Sequence, residues 1–500
     1  MREKLKILFR DGWLYLPIFV MSIYFLYRLV DQSQLLFYFP RDYVNDISSY
    51  MAQLFFLREC GFLNFCQYWY NGFISFSFTP PGWFLFALPF YYLFGDVKIA
   101  TYFTMVLSFV LAFLVIYFGG KRFRLSKLQR VAFFSFMFMN ALSIGSFIRL
   151  GRVHELFTWV WFLLFSFLIL YYRERKLDWK SLFIIPSYSL ILLSYLSIAV
   201  ISSLLFLGLF IIKPKKEKIL VAFYFLASSL LTSFWFVPFI KSVFVSSAIP
   251  ALTQNLWLWQ FRSDLILTNL AAFLFPLAFL ILFYYYWSSN NKPRNEIYFF
   301  APVVILGILY LFRLTPFIPV FRNIFPDPYL PFFLFFSLFF FFKIDYSKID
   351  IKVVKILPFA LVFLALISIT INILHTPSFV VPNDKANLEL EGLFSKFNGS
   401  FLMFGDYPRT IYAKAIYSYV PIYYGLSTPY GWYPELKEPS YFDTFKNLKK
   451  SDLSDCGSFI HDIKFLNTTH VIGYRETCGK FSKCNLNFLE NSGNFCLYKV

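Results

Sequence analysis

Eleven apolar runs, each of roughly 14–20 residues, fill most of the first three quarters of this chain, and each approaches the length a helix needs to cross a bilayer. They lie at 13–30, 99–118, 131–148, 154–172, 181–194, 196–212, 219–237, 266–287, 298–313, 329–342 and 356–374. A water-soluble fold would have too little polar surface to cover them. Composition agrees: 58% of the 500 residues are hydrophobic and 15% are charged, against about 25% charged in an ordinary soluble protein. The expected class is an α-helical polytopic membrane protein of about eleven spans, multi-pass in the cell membrane. Disorder, fibres and a single soluble domain are excluded.

Charge sets the expected orientation. There are 46 Lys and Arg against 28 Asp and Glu, a formal +18. In a soluble chain this would suggest nucleic acid, but no RNP, finger or helix-turn-helix pattern is present, and no nucleic-acid partner is expected. The basic residues collect in breaks between runs: Lys121 to Arg130, Arg173 to Lys180, Lys213 to Lys218, Lys292 with Arg294, and Lys343 to Lys355. Eleven spans with a cytoplasmic N-terminus place all five breaks inside, as the positive-inside bias requires. The basic stretch Met1 to Gly12 leads into the first run with no small-residue cleavage site, so an uncleaved first helix is expected.

The stretch 80–94, opening Pro80-Pro81-Gly82-Trp83, does not fit as a further crossing, since it would invert every later loop. It reads as a short re-entrant or interfacial helix packed on protein; the alternative is a hairpin over 80–118 with one later span miscounted. Facing outside are then a long loop at 31–82, turns at 149–153, 238–265 and 314–328, and everything after about 375. The expected organisation is a polytopic domain over 1–375 and a small extracytoplasmic α+β domain over 376–500. A helix over Lys385–Phe397 and strands at Phe401–Phe404, His470–Tyr474 and Phe495–Val500 are predicted there.

All six cysteines fall in segments placed outside, as disulfides in an oxidising compartment would. Cys60 and Cys66 are the nearest pair. Cys456, Cys478, Cys484 and Cys496 allow three connectivities. No Cys-x-x-Cys spacing suggests zinc. Two Asn-x-Ser/Thr sequons, Asn398-Gly399-Ser400 and Asn467-Thr468-Thr469, lie in the same tail.

Candidate chemistry gathers at the outer ends of the runs. Asp42 and Asp46, four apart, share a face of any helix they join. Such a pair could bind a divalent cation, Mg or Mn, or one carboxylate could serve as general base. The competing reading makes Asn45 or Asp46 the N-cap of a helix carrying Ile47, Met51, Leu54 and Phe55. Trp69-Tyr70-Asn71-Gly72 suits a membrane-surface loop over an amphiphile, or ordinary interfacial packing. Arg149 and Arg152 form a cationic pair suited to a phosphate, with His154 and Glu155 adding acid/base or metal capacity; the alternative is a snorkelling turn. Arg313, Arg322 and Asp327 cluster at another outer turn, as a lipid-phosphate contact or as interface anchors. No phosphate-binding loop, dinucleotide fingerprint, nucleophile elbow or His-Glu-x-x-His occurs. The loops expected inside are too short to house an ATP-using domain, so any chemistry is expected outside with a donor already on that side, as lipid-linked donors are.

These features resemble the GT-C superfamily of integral-membrane glycosyltransferases and, within it, the prokaryotic branch of 6-pyruvoyl-tetrahydropterin-synthase-related membrane proteins. The resemblance rests on the acidic first loop (Asp42, Asp46), on Trp69-Tyr70-Asn71-Gly72 and on Thr79-Pro80-Pro81. It extends to Gly151-Arg152-Val153-His154-Glu155 and to Gly425-Leu426-Ser427-Thr428-Pro429-Tyr430-Gly431-Trp432. It implies sugar transfer from a polyprenyl-phosphate donor to a glycan, lipid or protein acceptor outside the cytoplasm. Asp42 or Asp46 would act as base or metal ligand, with Asp42 preferred as the base because Asp46 is the better helix cap; Arg149 and Arg152 would hold phosphate, and His154, Glu155, Arg322 and Trp69 would contact substrate. The second outer turn departs from the pattern in offering His154 and Glu155 but no Asp. Rival functions are a lipid-linked oligosaccharide flippase or polymerase, which should carry mid-span charges, and a non-enzymatic envelope scaffold.

Overall fold

A computed structural model of the protein describes residues 12–41, 45–246, 266–289, 293–321, 324–346, 351–379, 385–405, 413–432, 439–450 and 455–500. Numbered in chain order, the helices that frame the site begin with α1 (Tyr15–Gln32), α2 (Ile47–Glu59), α3 (Gly82–Phe94) and α4 (Val97–Arg122). Then come α5 (Lys127–Phe138), α6 (Ala141–Arg149), α7 (Val153–Arg173), α8 (Ile184–Ser194) and α9 (Leu196–Ile212). The helical body closes with α10 (Lys215–Leu231), α11 (Ser233–Ser246), α12 (Ile266–Ser289), α13 (Arg294–Leu311), α14 (Tyr329–Lys343) and α15 (Ile351–His375).

Each of the eleven apolar runs coincides with helix. Among the described residues four helices are long and apolar enough to cross a membrane, and up to six spans result if the bent pairs α5–α6 (52°) and α10–α11 (70°) are each one span. Shorter apolar helices cover four of the remaining runs, and the first run forms the 18-residue α1, which is not among the helices that meet that test. Residues 238–246, expected to be turn, continue α11 through Pro238.

Aromatic packing holds the body together. Phe335, Phe336 and Phe340 of α14 are fully buried, and Phe133, Phe162 and Phe167 meet Phe335 at centroid distances of 5.6, 5.4 and 5.5 Å. Offset and edge-on rings at this spacing add about 0.5–1.5 kcal/mol per pair beyond burial. At the end of the body away from the sheet, Arg173 pairs with Glu296 at 2.9 Å, and Tyr286 donates to the same carboxylate at 2.5 Å. That bond triangle ties α7, α12 and α13.

α8 and α9 form a hairpin hinged on one residue, Tyr195, in extended backbone (φ −159°, ψ 106°). Tyr188 on α8 reaches across it, donating to Ala199 O at 3.0 Å and packing on Phe206. α3 has 13 residues and is about 20 Å long, short of a roughly 30 Å hydrocarbon core. Its first residue, Gly82, packs so tightly on Leu193 and Ser194 that a Cβ would overlap them. Its far end carries Tyr91, which stacks under Arg58 at 4.8 Å. Just beyond, Lys98 approaches the ring of Tyr423 in the C-terminal region. The two ends of α3 are thus tied to α8 through Gly82 and to α2 through Tyr91.

After α15 the chain builds α16 (Lys385–Phe394), β3 (Phe401–Phe404), α17 (Ala413–Tyr424), α18 (Pro439–Lys450), α19 (Cys456–Phe465), β4 (His470–Tyr474), α20 (Glu476–Lys483), β5 (Asn487–Ser492) and β6 (Phe495–Lys499). The sheet order is β3-β4-β6-β5, with β3 parallel to β4 and the other pairs antiparallel. Its core, with Leu402, Val471 and Leu497 fully buried, is separate from that of the helical body. β5, an exposed edge of sequence NFLENS, lacks the apolar alternation that would mark it as strand. Disulfides join Cys456 to Cys484 and Cys478 to Cys496, which selects one of the three connectivities, and Cys60 to Cys66 in the first loop. That loop also holds the two-residue strands β1 (Phe65–Cys66) and β2 (Phe73–Ile74).

Candidate functional site

The first loop and the turn after α6 are joined through their backbones. The N–H groups of Asp46 and Ile47 both donate to Leu150 O, at 2.7 and 3.2 Å. Gly151, next in the turn, adopts φ +67° against the Ile47 side chain, which a Cβ there would overlap. A left-handed, crowded position of this kind accepts glycine at little cost. At the start of α2 the side-chain cap comes from Asn45, whose Oδ1 accepts the Ser48 N–H at 3.3 Å. Asp46 makes no cap bond with its side chain. Its carboxylate turns instead to Arg152.

Arg152 is the hub. Its Nε donates to Asp46 Oδ2 at 3.1 Å, and its Nη1 donates to Asp327 Oδ2 at 2.6 Å and lies 3.8 Å from Glu155 Oε2. Burial works against the guanidinium charge, but Asp327, Glu155 and Asp46 outweigh it and hold the proton well above the ordinary arginine range. The three acids differ in access. About a third of the Asp46 and Asp327 side chains is open (34% and 33%), whereas Glu155 is closed off at 3% and lies beneath them. Glu155 Oε1 also accepts from Trp159 Nε1 at 3.5 Å. His154 sits between the rings of Tyr50 and Tyr195, at 4.6 and 5.3 Å, with no partner for its Nδ1 among the described residues. Tyr195 arrives there because it is the tip of the α8–α9 hairpin.

Three carboxylates are the right donors for a hard divalent cation, but here a guanidinium occupies the space between them. No group of three His, Cys, Asp or Glu among the described residues is spaced to hold a metal.

The other expected site residues go elsewhere. Arg149 and Arg152 do not form a joint phosphate clamp. Arg149 is buried, and its Nε donates to Pro377 O at 2.9 Å, a carbonyl also bonded by Arg28 Nη2 at 3.1 Å. Asp31 takes the Phe379 N–H beside it, so Arg149 belongs to a clamp on the chain leaving α15. The left-handed turn at Gly151 separates the two arginines. Trp69 is fully buried and donates its indole N–H to Tyr417 O at 2.9 Å. It belongs to a seam between the first loop and the C-terminal region. In the same seam, Asn71 N–H donates to Thr428 O at 3.0 Å, Thr428 N–H to Tyr68 O at 2.9 Å, and Ser400 Oγ to Asn71 Oδ1 at 2.7 Å. Arg41 adds an ion pair with Glu391 and stacks 4.2 Å from the ring centre of Tyr419. Asp42 and Arg322 lie outside the described residues. Asp327 had been grouped with Arg313 and Arg322, and Tyr195 carried no signal beyond breaking an apolar run.

No protein-family model matches the chain, and no curated protein matches it in sequence. Among solved structures it is similar to the oligosaccharyltransferase of Archaeoglobus fulgidus. Against that enzyme in complex with Zn and sulfate the TM-score is 0.52 at 12% identity, covering 92% of this chain and 69% of that one. Against its apo form the TM-score is 0.52 at 11% identity, covering 93% and 71%. Against the form tethered through a disulfide to an acceptor peptide containing the NVT sequon it is 0.54 at 11%, covering 91% and 69%. The likeness is one of fold: a mostly helical body with several apolar helices and a small C-terminal sheet region.

Proposed function

We propose that this protein is a membrane glycosyltransferase, of the kind found in the prokaryotic 6-pyruvoyl-tetrahydropterin-synthase-related branch, that moves a sugar from a polyprenyl-phosphate donor to an acceptor outside the cytoplasm. The observation that carries the reading is the Asp46–Arg152–Asp327 cluster, partly open, at the ends of α2 and α7 on the face that bears the sheet, in a GT-C-like fold. The acceptor peptide of the structural neighbour supports a protein segment as acceptor, ahead of a glycan or lipid.

The chemistry follows from one shared ion pair. An acceptor N–H or O–H lying on Asp46 gives up its proton to that carboxylate as the acceptor atom bonds to the sugar C1. The C1–O bond breaks, and charge collects on the leaving phosphate. Protonation of Asp46 removes one of the anions holding Arg152, so its guanidinium becomes available to the phosphate as the negative charge appears there. Glu155 and Asp327 keep the arginine protonated and in place. Asp42 remains a second candidate for the base. A divalent cation would have to displace the guanidinium, and no step here runs through one.

The donor's lipid has a place to lie. An apolar cavity of 250 Å³ opens between α9 and α13, lined by Leu204, Leu207, Ile305, Leu309 and Phe321 among others. α9, which lines it, begins just after Tyr195, the residue that packs on His154. The test is transfer by the purified protein from a panel of polyprenyl-phosphate and polyprenyl-diphosphate sugars. Turnover that disappears in Asp46→Asn and Arg152→Met is expected. Full turnover in both variants would overturn the site, and no turnover with any donor would overturn the function.

A further inference from the structure

The parallel register of β3 and β4 places Phe401 opposite His470. Each strand is preceded, at the same offset, by a sequon: Asn398-Gly399-Ser400 before β3 and Asn467-Thr468-Thr469 before β4. Two sequons far apart in the chain therefore stand side by side at one end of the sheet. Their contact is direct. Thr469 Oγ1 accepts the Ser400 N–H at 2.9 Å and donates to Ser400 O at 2.8 Å, while the Thr469 N–H reaches the same carbonyl at 3.1 Å. Gly399 at φ +108° and Asn467 at φ +50° turn the chain so that both asparagines are exposed while Ser400 and Thr468 are buried. The same region carries the bridges Cys456–Cys484 and Cys478–Cys496, which persist on the oxidising side of a membrane.

We propose that Asn398 and Asn467 are a pair of N-glycosylation sites, filled from a polyprenyl-phosphate-linked oligosaccharide by a sequon-dependent oligosaccharyltransferase. In each transfer the side-chain amide nitrogen bonds to the sugar C1. The C1–O bond to phosphate breaks, its electron pair stays on the phosphate, and the amide proton goes to a carboxylate of the transferase. The assignment does not require this chain to be its own modifying enzyme. The folded geometry also sets the order of events. Recognition reads the hydroxyl two residues after the asparagine, yet Ser400 Oγ is bound to Asn71 and Thr469 Oγ1 to Ser400 O. Modification therefore precedes the closing of β3 on β4, and closure leaves both glycans standing outside along the seam with the first loop.

The experiment compares full-length protein from the membranes of its source cells with the same chain from a bacterial host that lacks N-glycosylation. Peptides spanning Asn398 and Asn467 are followed by mass spectrometry. Unmodified forms of both are expected to be lost from the source-cell sample and replaced by glycopeptides, and Asn398→Gln and Asn467→Gln made in the source cells should each remove one glycan's mass. Recovery of either wild-type peptide unmodified in equal amount from both sources would overturn the paired assignment. Incubating the folded, unmodified chain with transferase and lipid-linked donor should leave it unmodified. Efficient transfer at that stage would overturn the order of events.

Discussion

The first loop meets the rest of the molecule twice, by opposite chemistries. At Asp46 the contact is ionic and a third open, one arginine shared among three carboxylates. At Trp69 and Asn71 it is neutral, with a buried indole and several hydrogen bonds to the C-terminal region. An open ion pair can be handed to a ligand, because water and ligand compete for it on similar terms. A buried indole bonded to a carbonyl cannot, because opening it exposes the apolar ring and orphans a donor. Both stretches stand out in the sequence as motifs, yet only the first has the character of a reaction site.

Substitutions should separate the two. Asp46→Asn keeps the shape of the cluster but removes the proposed base, and transfer rate should fall about 10²–10⁴-fold with folding little changed; initial rates on matched amounts of folded protein measure this. A loss smaller than tenfold would make the open cluster as structural as the seam. Trp69→Ala should do the reverse, costing about 3–5 kcal/mol in denaturant unfolding while activity per folded molecule stays near normal. Asn71→Ala, which removes bonds to Ser400, Leu466 and Asn467, should cost about 1–3 kcal/mol and make the C-terminal region more sensitive to protease.

The smallest effect is that of pH. Burial, with Lys499 nearby, pushes the His470 pKa down in the folded state, so the unfolded chain binds the extra proton more readily. The C-terminal region should hold its full stability above the ordinary histidine pKa and weaken as pH falls through and below it. His470→Gln should flatten that dependence in unfolding curves between pH 7 and pH 5.

The helices were legible because apolar run length is a local property, and every run between basic breaks became helix. Run length could not show the one-residue hinge at Tyr195 or the bends within α5–α6 and α10–α11. At the site, Asp46, Arg152 and Glu155 could be read from the sequence and do meet. Asp327 was visible only as an acid in a proline-broken turn, and nothing local tells which distant arginine such a turn will face. Arg149 and Arg152 looked like partners because spacing ignores the sign of φ at Gly151. Asp46 does stand at the N-cap position of α2, but the side-chain cap bond comes from Asn45, which leaves the Asp46 carboxylate to Arg152.

The bridged segment at 427–428 has a mechanical consequence. It pairs Ser427 with Ser400 at the start of β3 and Thr428 with Trp69 in the loop, while the other end of that loop is pinned to Leu150 beside Arg152. The loop is thus fastened at one point to the sheet region and at another to the turn that carries Arg152, so the sheet cannot be lifted away without breaking backbone bonds to this loop.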